Sequence, residues 1–199
     1  DDDARGELLV ANRGRPFTAS NLEAIRNIGT SDKEVGEGIG NKGLGFRSVE
    51  ALTDDVRIYS ASSGDSGRKF DGYCFRFATL EEIAAGLARL GAADDISNKV
   101  AENIPRYLVP MPAPRQSEQV QRLAQEGFAT VVALPLTSGE AIELAREQVL
   151  ALLDTSAPVL LFLDRIAALD VEVISADGVQ THRRLTRAVH PVGTAALQP

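Results

Sequence analysis

The chain has 199 residues, 44% of them apolar, with 21 Lys and Arg against 28 Asp and Glu, for a formal charge of −7. That length can bury one sizeable core, or one core and part of a second, and the acidic balance argues against a broad basic surface for nucleic acid. A single cysteine, Cys74, excludes an internal disulfide or a cysteine metal cluster, and the absence of a signal peptide and of bilayer-length apolar runs predicts a soluble cytoplasmic protein without a membrane contact.

Glu7 to Ala11 reads as a short apolar strand, and "NRGRPF" after it has the composition of a turn. Ser20 with Glu23 forms a capping box for a short helix carrying Leu22, Ile25 and Ile28 on one face and ending near Gly29. Residues 30–38 are polar and unpatterned; a second helix is expected to start in or just after a glycine run and to continue through "GFRSVEAL". "DDVRIYSAS" alternates as a strand, and "YCFRF", after a polar turn, reads as its hairpin partner, with Cys74 as a small core residue.

Thr79 and Glu82 form another capping box, ahead of the Ala- and Leu-rich "LEEIAAGLARLG". From Ala92 to Gln116, Pro105, Pro110, Pro112 and Pro114 predict a long, stiffened connection rather than an element interior. A short helix covers 117–126, and "FATVVALPL" is the clearest buried strand, expected near the middle of its sheet. Thr137 and Glu140 cap the longest helix, to about Leu153; "APVLLFL" fits a helix or a buried strand, and "LDVEVISADGVQTHRRLTRAV" reads as two strands around Asp177-Gly178. His182 and His190 stand alone, so no metal-ligand set is predicted.

The run "GEGIGNKGLGF" places glycine at 36, 38, 40, 43 and 45. Glycine lets a ligand approach the main chain, whose N–H groups, with those opening a following helix, can hold an anion such as phosphate. A flexible surface loop is the other reading. Gly38-x-Gly40-x-x-Gly43 satisfies the dinucleotide-binding pattern, but "GTSDKEVGE" stands where that pattern needs a hydrophobic strand to deliver the chain to a pyrophosphate. No Walker A string occurs anywhere.

The stretch "ANRGRPFTASNLEAIRNIGTSDKEVGEGIGNKGLGFRSVEALTDDVRIYSAS" resembles the ATP-binding domain of the Hsp90, gyrase B, MutL and histidine-kinase superfamily, closest to sacsin-like proteins of the Hsp90 branch. Asn12-x-Gly14 takes the position of the adenine-recognising D-x-G turn, and Ser31 and Lys33 match a polar pair before the lid. Gly40, Gly43, Gly45 and Phe46 match the second glycine box, with Gly38 just upstream and Lys42 and Leu44 inside it, and Thr130 resembles the threonine on a late strand beneath the adenine. The resemblance implies an α+β fold, a two-layer α/β sandwich with a mixed, mainly antiparallel sheet and helices against one face (the Bergerat type). Residues 1–157 would be the nucleotide-binding domain, incomplete at its N-terminus, and 158–199 the passage into a following domain, since "PVLLFLDRIAALDVEV" resembles that exit.

Functionally the resemblance implies binding of ATP or ADP with Mg²⁺, with slow hydrolysis coupled to lid closure in an intact, chaperone-type protein, and homodimer or client contacts through regions outside this chain. Family members carry, on a helix before the adenine turn, a glutamate that activates water and an asparagine that holds magnesium. Nothing before Glu7 reads as that helix, so the chain is expected to be a fragment lacking it, and no catalytic residue or metal ligand is assigned. The alternative is a nonenzymatic protein-interaction module that keeps a degenerate Hsp90-like fold.

Each residue also has a chemical reading of its own. The Asn12 carboxamide oxygen can accept from adenine N6–H₂, provided its NH₂ finds an acceptor; otherwise Asn12 caps a turn. Gly14 lets the base lie on the main chain, or merely permits the turn. Lys33 and Lys42 face phosphate or solvent. Thr130 donates its hydroxyl to the base or a bridging water, or is simply a β-branched strand residue.

Overall fold

The computed structural model describes residues 6–26, 49, 52–62, 68–153, 160, 163, 165–175, 177–178 and 180–187. The chain divides into two compact units, Asp1–Leu144 and Ala145–Pro199. In the first, five strands form one sheet: β1 (Gly6–Asn12), β2 (Arg57–Ser60), β3 (Cys74–Phe77), β4 (Pro110–Pro112) and β5 (Thr130–Leu136), in the order β1-β5-β2-β3-β4. Every pairing is antiparallel. The fold is therefore a mixed α+β one with an open sheet.

The strands were legible because apolar residues recur at every second position, and the sheet uses both resulting sets. On one face Ile58, Leu134, Phe75 and Phe77 meet Phe17 and α1 (Ala19–Arg26) through Leu22 and Ile25. On the other, Tyr59, Val131 and Ala133 meet Phe70, Phe128 and α4 (Glu118–Gln125) through Val120 and Ala124. The expected arrangement, with helices against one face, is thus corrected: α4 covers the second face, because β2 and β5 carry apolar residues in both phases. Ile58, Val131 and Ala133 are all 0% exposed; burying Ile58 alone contributes about 2 kcal/mol. β5 lies between β1 and β2, as its near-continuous apolar run predicts. Pro135 is tolerated there because pairing with β2 ends at Arg57↔Ala133, leaving β5 a single neighbour beyond it.

The expected structureless connection over Ala92–Gln116 is also corrected. It contains α3 (Asp94–Asn103), a 3-10 turn (Arg106–Leu108) and β4. The buried face of α3 consists of Ser97 and Ala101, small residues that let it lie close to α2 (Leu80–Arg89) but leave little apolar signal. In β4, Val109 accepts from Ala78 and Ala113 donates to Cys74, so alternate residues face β3 and the prolines take the outward positions of an edge strand. There a missing N–H costs no ladder bond and blocks pairing with another sheet.

Two helix starts shift by a residue or two. α1 is capped by Thr18 rather than Ser20: Asn21 Oδ1 accepts from the Thr18 N–H at 3.0 Å and Thr18 Oγ1 accepts from the Asn21 N–H at 3.4 Å. α5 (Gly139–Ala151) is capped by Ser138 rather than Thr137. The helix expected through "GFRSVEAL" and the "APVLLFL" segment lie largely outside the described residues. In the second unit, β6 (Ala168–Ile174) and β7 (Gln180–Thr186) form the expected antiparallel hairpin, with Gly178 at φ +79° in the turn.

The capping box of α2 forms as expected, and Arg76 on β3 reinforces it. Thr79 Oγ1 accepts from the Glu82 N–H, Glu82 Oε2 accepts from the Thr79 N–H at 2.9 Å, and the Arg76 guanidinium donates to both carboxylate oxygens. The Arg76 bonds, then the Thr79 N–H, hold the Glu82 carboxyl down at about 2. A depressed folded-state pKa stabilises the fold above the unfolded value and is lost as pH falls through the folded one. Stability should therefore decline between about pH 5 and pH 2, and Glu82→Gln should flatten that part of the profile, measured by urea unfolding at stepped pH.

Candidate functional site

Three polar residues form one row across the sheet. In the antiparallel register Asn12 on β1 is the partner of Thr130 on β5, and Thr130 is the partner of Ser60 on β2. All three share the face that carries Ile58 and Leu134 and that α1 covers, because each lies an even number of positions from those residues along its strand, or opposite one that does. Asn12 is exposed, while Thr130 is 7% and Ser60 0% exposed. The register thus brings together Asn12 and Thr130, which are far apart in sequence.

The two buried hydroxyls bond each other, with Ser60 Oγ 3.0 Å from Thr130 Oγ1. Ser60 Oγ also accepts from the Phe17 N–H at 2.8 Å, which ties the segment entering α1 to the end of β2. The sequence reading missed Ser60. Its signal was there, since Ser60 is in phase with Val56 and Ile58 and a hydroxyl on a buried face must find partners.

The turn after β1 is held from the opposite direction. Arg13 Nη1 donates to the Glu126 carbonyl at the end of α4, and its guanidinium lies 4.0 Å from the centre of the Phe128 ring. A cation suits the negative end of a helix and the face of an aromatic ring. The Ala129 N–H completes the attachment by donating to the Asn12 carbonyl at 2.8 Å. Gly14 is not among the glycines at positive φ, so the turn does not depend on it for conformation. A Cβ there would lie 3.3 Å from Asn12 Nδ2, so the Asn12 carboxamide lies close to Gly14.

No protein-family model, curated protein or solved structure matches the chain. The site accordingly rests on residues and geometry. Lys33, Gly38, Gly40, Lys42, Gly43, Leu44, Gly45 and Phe46 lie outside the described residues, so of the predicted set only Asn12, Gly14 and Thr130 are described, and the row contains Asn12 and Thr130. Among the described residues no group of three His, Cys, Asp or Glu could hold a metal ion, and no helix is long and apolar enough to cross a membrane.

A cavity of about 430 Å³ opens elsewhere, lined by Tyr59, Cys74, Ala113, Pro114, Gln116 and Gln121 among others. Tyr59 and Cys74 project to the α4 side of the sheet, so this cavity and the polar row belong to opposite faces. Two of its polar side chains are engaged: the Tyr59 hydroxyl donates to the Pro114 carbonyl at 3.3 Å, and Gln116 Nε2 to the Phe70 carbonyl at 3.0 Å. Burial pushes the Cys74 thiol pKa up, which keeps it protonated and poorly nucleophilic.

Proposed function

We propose that the chain binds ATP, with adenine against Asn12, Gly14 and Thr130 and the triphosphate, as its magnesium complex, at the glycine run. The supporting observation is the β1–β5 register, which sets an exposed carboxamide beside a largely buried hydroxyl at the end of the paired strands. Adenine presents an N6–H₂ donor next to the N1 acceptor, and an amide oxygen beside a hydroxyl donor complements that pair. Gly38, Gly40, Gly43 and Gly45 supply main-chain N–H groups to the phosphates, with Lys33 and Lys42 as the nearby cations. Magnesium enters with the triphosphate and neutralises part of its charge. Hydrolysis would require a water-activating glutamate in addition to these residues.

Calorimetric titration with ATP and Mg²⁺ tests the reading. Heat of binding that ADP competes away supports it. Absence of heat, together with no competition by ADP, ends it and leaves the nonenzymatic interaction module as the better account.

A further inference from the structure

We infer that Ser60 sets the direction in which Thr130 offers its proton, and that this makes the site select adenine over an oxo-purine such as hypoxanthine. The inference rests on the ATP-binding reading and deepens it. Asn12 cannot make that selection, because an exposed carboxamide rotates to present either its oxygen or its NH₂. A carboxylate in that place would only accept. Polarity must then be read by the hydroxyl beside it.

A hydroxyl has one proton and two acceptor sites. One acceptor site of Ser60 Oγ is taken by the Phe17 N–H at 2.8 Å. Its proton has three possible acceptors, Thr130 Oγ1 at 3.0 Å, the Ala129 carbonyl at 3.2 Å and the Ala61 carbonyl at 3.3 Å. The Ala129 carbonyl already accepts from the Ala61 N–H at 3.0 Å. The shortest of the three is the bond to Thr130. Bonds then run head to tail from the Phe17 N–H through Ser60 to Thr130, and each donor in such a chain strengthens the next. The Thr130 proton is left to point at a ligand, where it meets the N1 acceptor of adenine.

Hypoxanthine carries N1–H instead. To accept from it Thr130 must swing its own proton off the base, which either strips that proton of an acceptor or gives it to Ser60, whose proton must then go to one of the two more distant carbonyls. That reversal penalises the wrong base without any new contact to it. Ser60 is thus a positioning residue. It is 0% exposed and acts on the base only through Thr130.

The test compares ATP with ITP by calorimetry on the full chain. The unaltered protein should favour ATP by about tenfold, the size of one misdirected hydrogen bond. Ser60→Ala should bring the ratio down to about twofold, since Thr130 then rotates freely. Losing the acceptor for Phe17 N–H also weakens the fold, but a general destabilisation affects both nucleotides alike and cancels in the ratio. Thr130→Val should lower the ratio as well, and adding Ser60→Ala to it should change nothing further, because the two act in series. Should Ser60→Ala not fold, Ser60→Cys, close in volume and a much weaker donor, is read the same way. A ratio unchanged by either Ser60 substitution, with ATP still bound, overturns the inference alone. No binding of ATP by the unaltered chain overturns the functional reading, and the inference with it.

Discussion

Gly72→Ala should lower the stability of the first unit by about 3 kcal/mol, at the upper end of what overpacking usually costs. A Cβ at Gly72 would lie 2.4 Å from the Ala61 carbonyl oxygen, 2.6 Å from its carbon and 2.8 Å from Ser62 Cα. All three are main-chain atoms, so no side-chain rotation can relieve the overlap. The Gly72 N–H meanwhile donates to the Ser60 carbonyl at 2.8 Å, which pins the two strands together where the contact is closest. Accommodating the methyl group means prying β2 from the approach to β3 and breaking that bond. Urea unfolding would register the loss as a lower midpoint at an unchanged slope. Gly86 in α2 is the control, because a Cβ there meets nothing within 4 Å. Gly86→Ala should stabilise by about 0.5–1 kcal/mol through helix propensity. If the two alanines have equal effects, the close approach at Gly72 is not what holds the hairpin end.

Gly43→Ala and Asn12→Ala should separate the two ends of the proposed nucleotide site. Under the ATP-binding reading the methyl group at Gly43 intrudes between phosphate and main chain and misaims the N–H donors, so ATP affinity falls by about tenfold or more. Adenosine, lacking phosphates, should lose little. Asn12→Ala should weaken ATP and adenosine alike, because it removes a base contact. Calorimetry with both ligands, alongside a melting curve of each unliganded variant, reads the comparison. Equal losses for ATP and adenosine in the Gly43 variant would assign that glycine to folding. Unchanged ATP binding in both variants would put the pocket elsewhere.

Local pattern carried a good part of the fold. Strands β1, β2, β3 and β5, the Thr79–Glu82 box and the β6–β7 hairpin are written in runs of neighbouring residues, because side-chain alternation and capping chemistry act over a few positions. Segments whose burial uses small residues escaped. In α3, Ser97 and Ala101 pack on α2 without an apolar stripe, and in β4 the prolines that argue against a strand are what suit the outward side of an edge.

The candidate site divides in the same way. Asn12, Gly14 and Thr130 are singled out through the family resemblance, and the glycine run because its composition permits close backbone access or a flexible loop. That β5 inserts between β1 and β2, and so sets Asn12 beside Thr130 and Thr130 beside Ser60, is a matter of non-local pairing. No local pattern specifies strand order, since it depends on which apolar faces can be buried together once the chain is compact. The same holds for Ser60: the sequence alone determines that a hydroxyl sits in phase with Val56 and Ile58, whereas only the tertiary structure decides that its partners are Phe17 and Thr130.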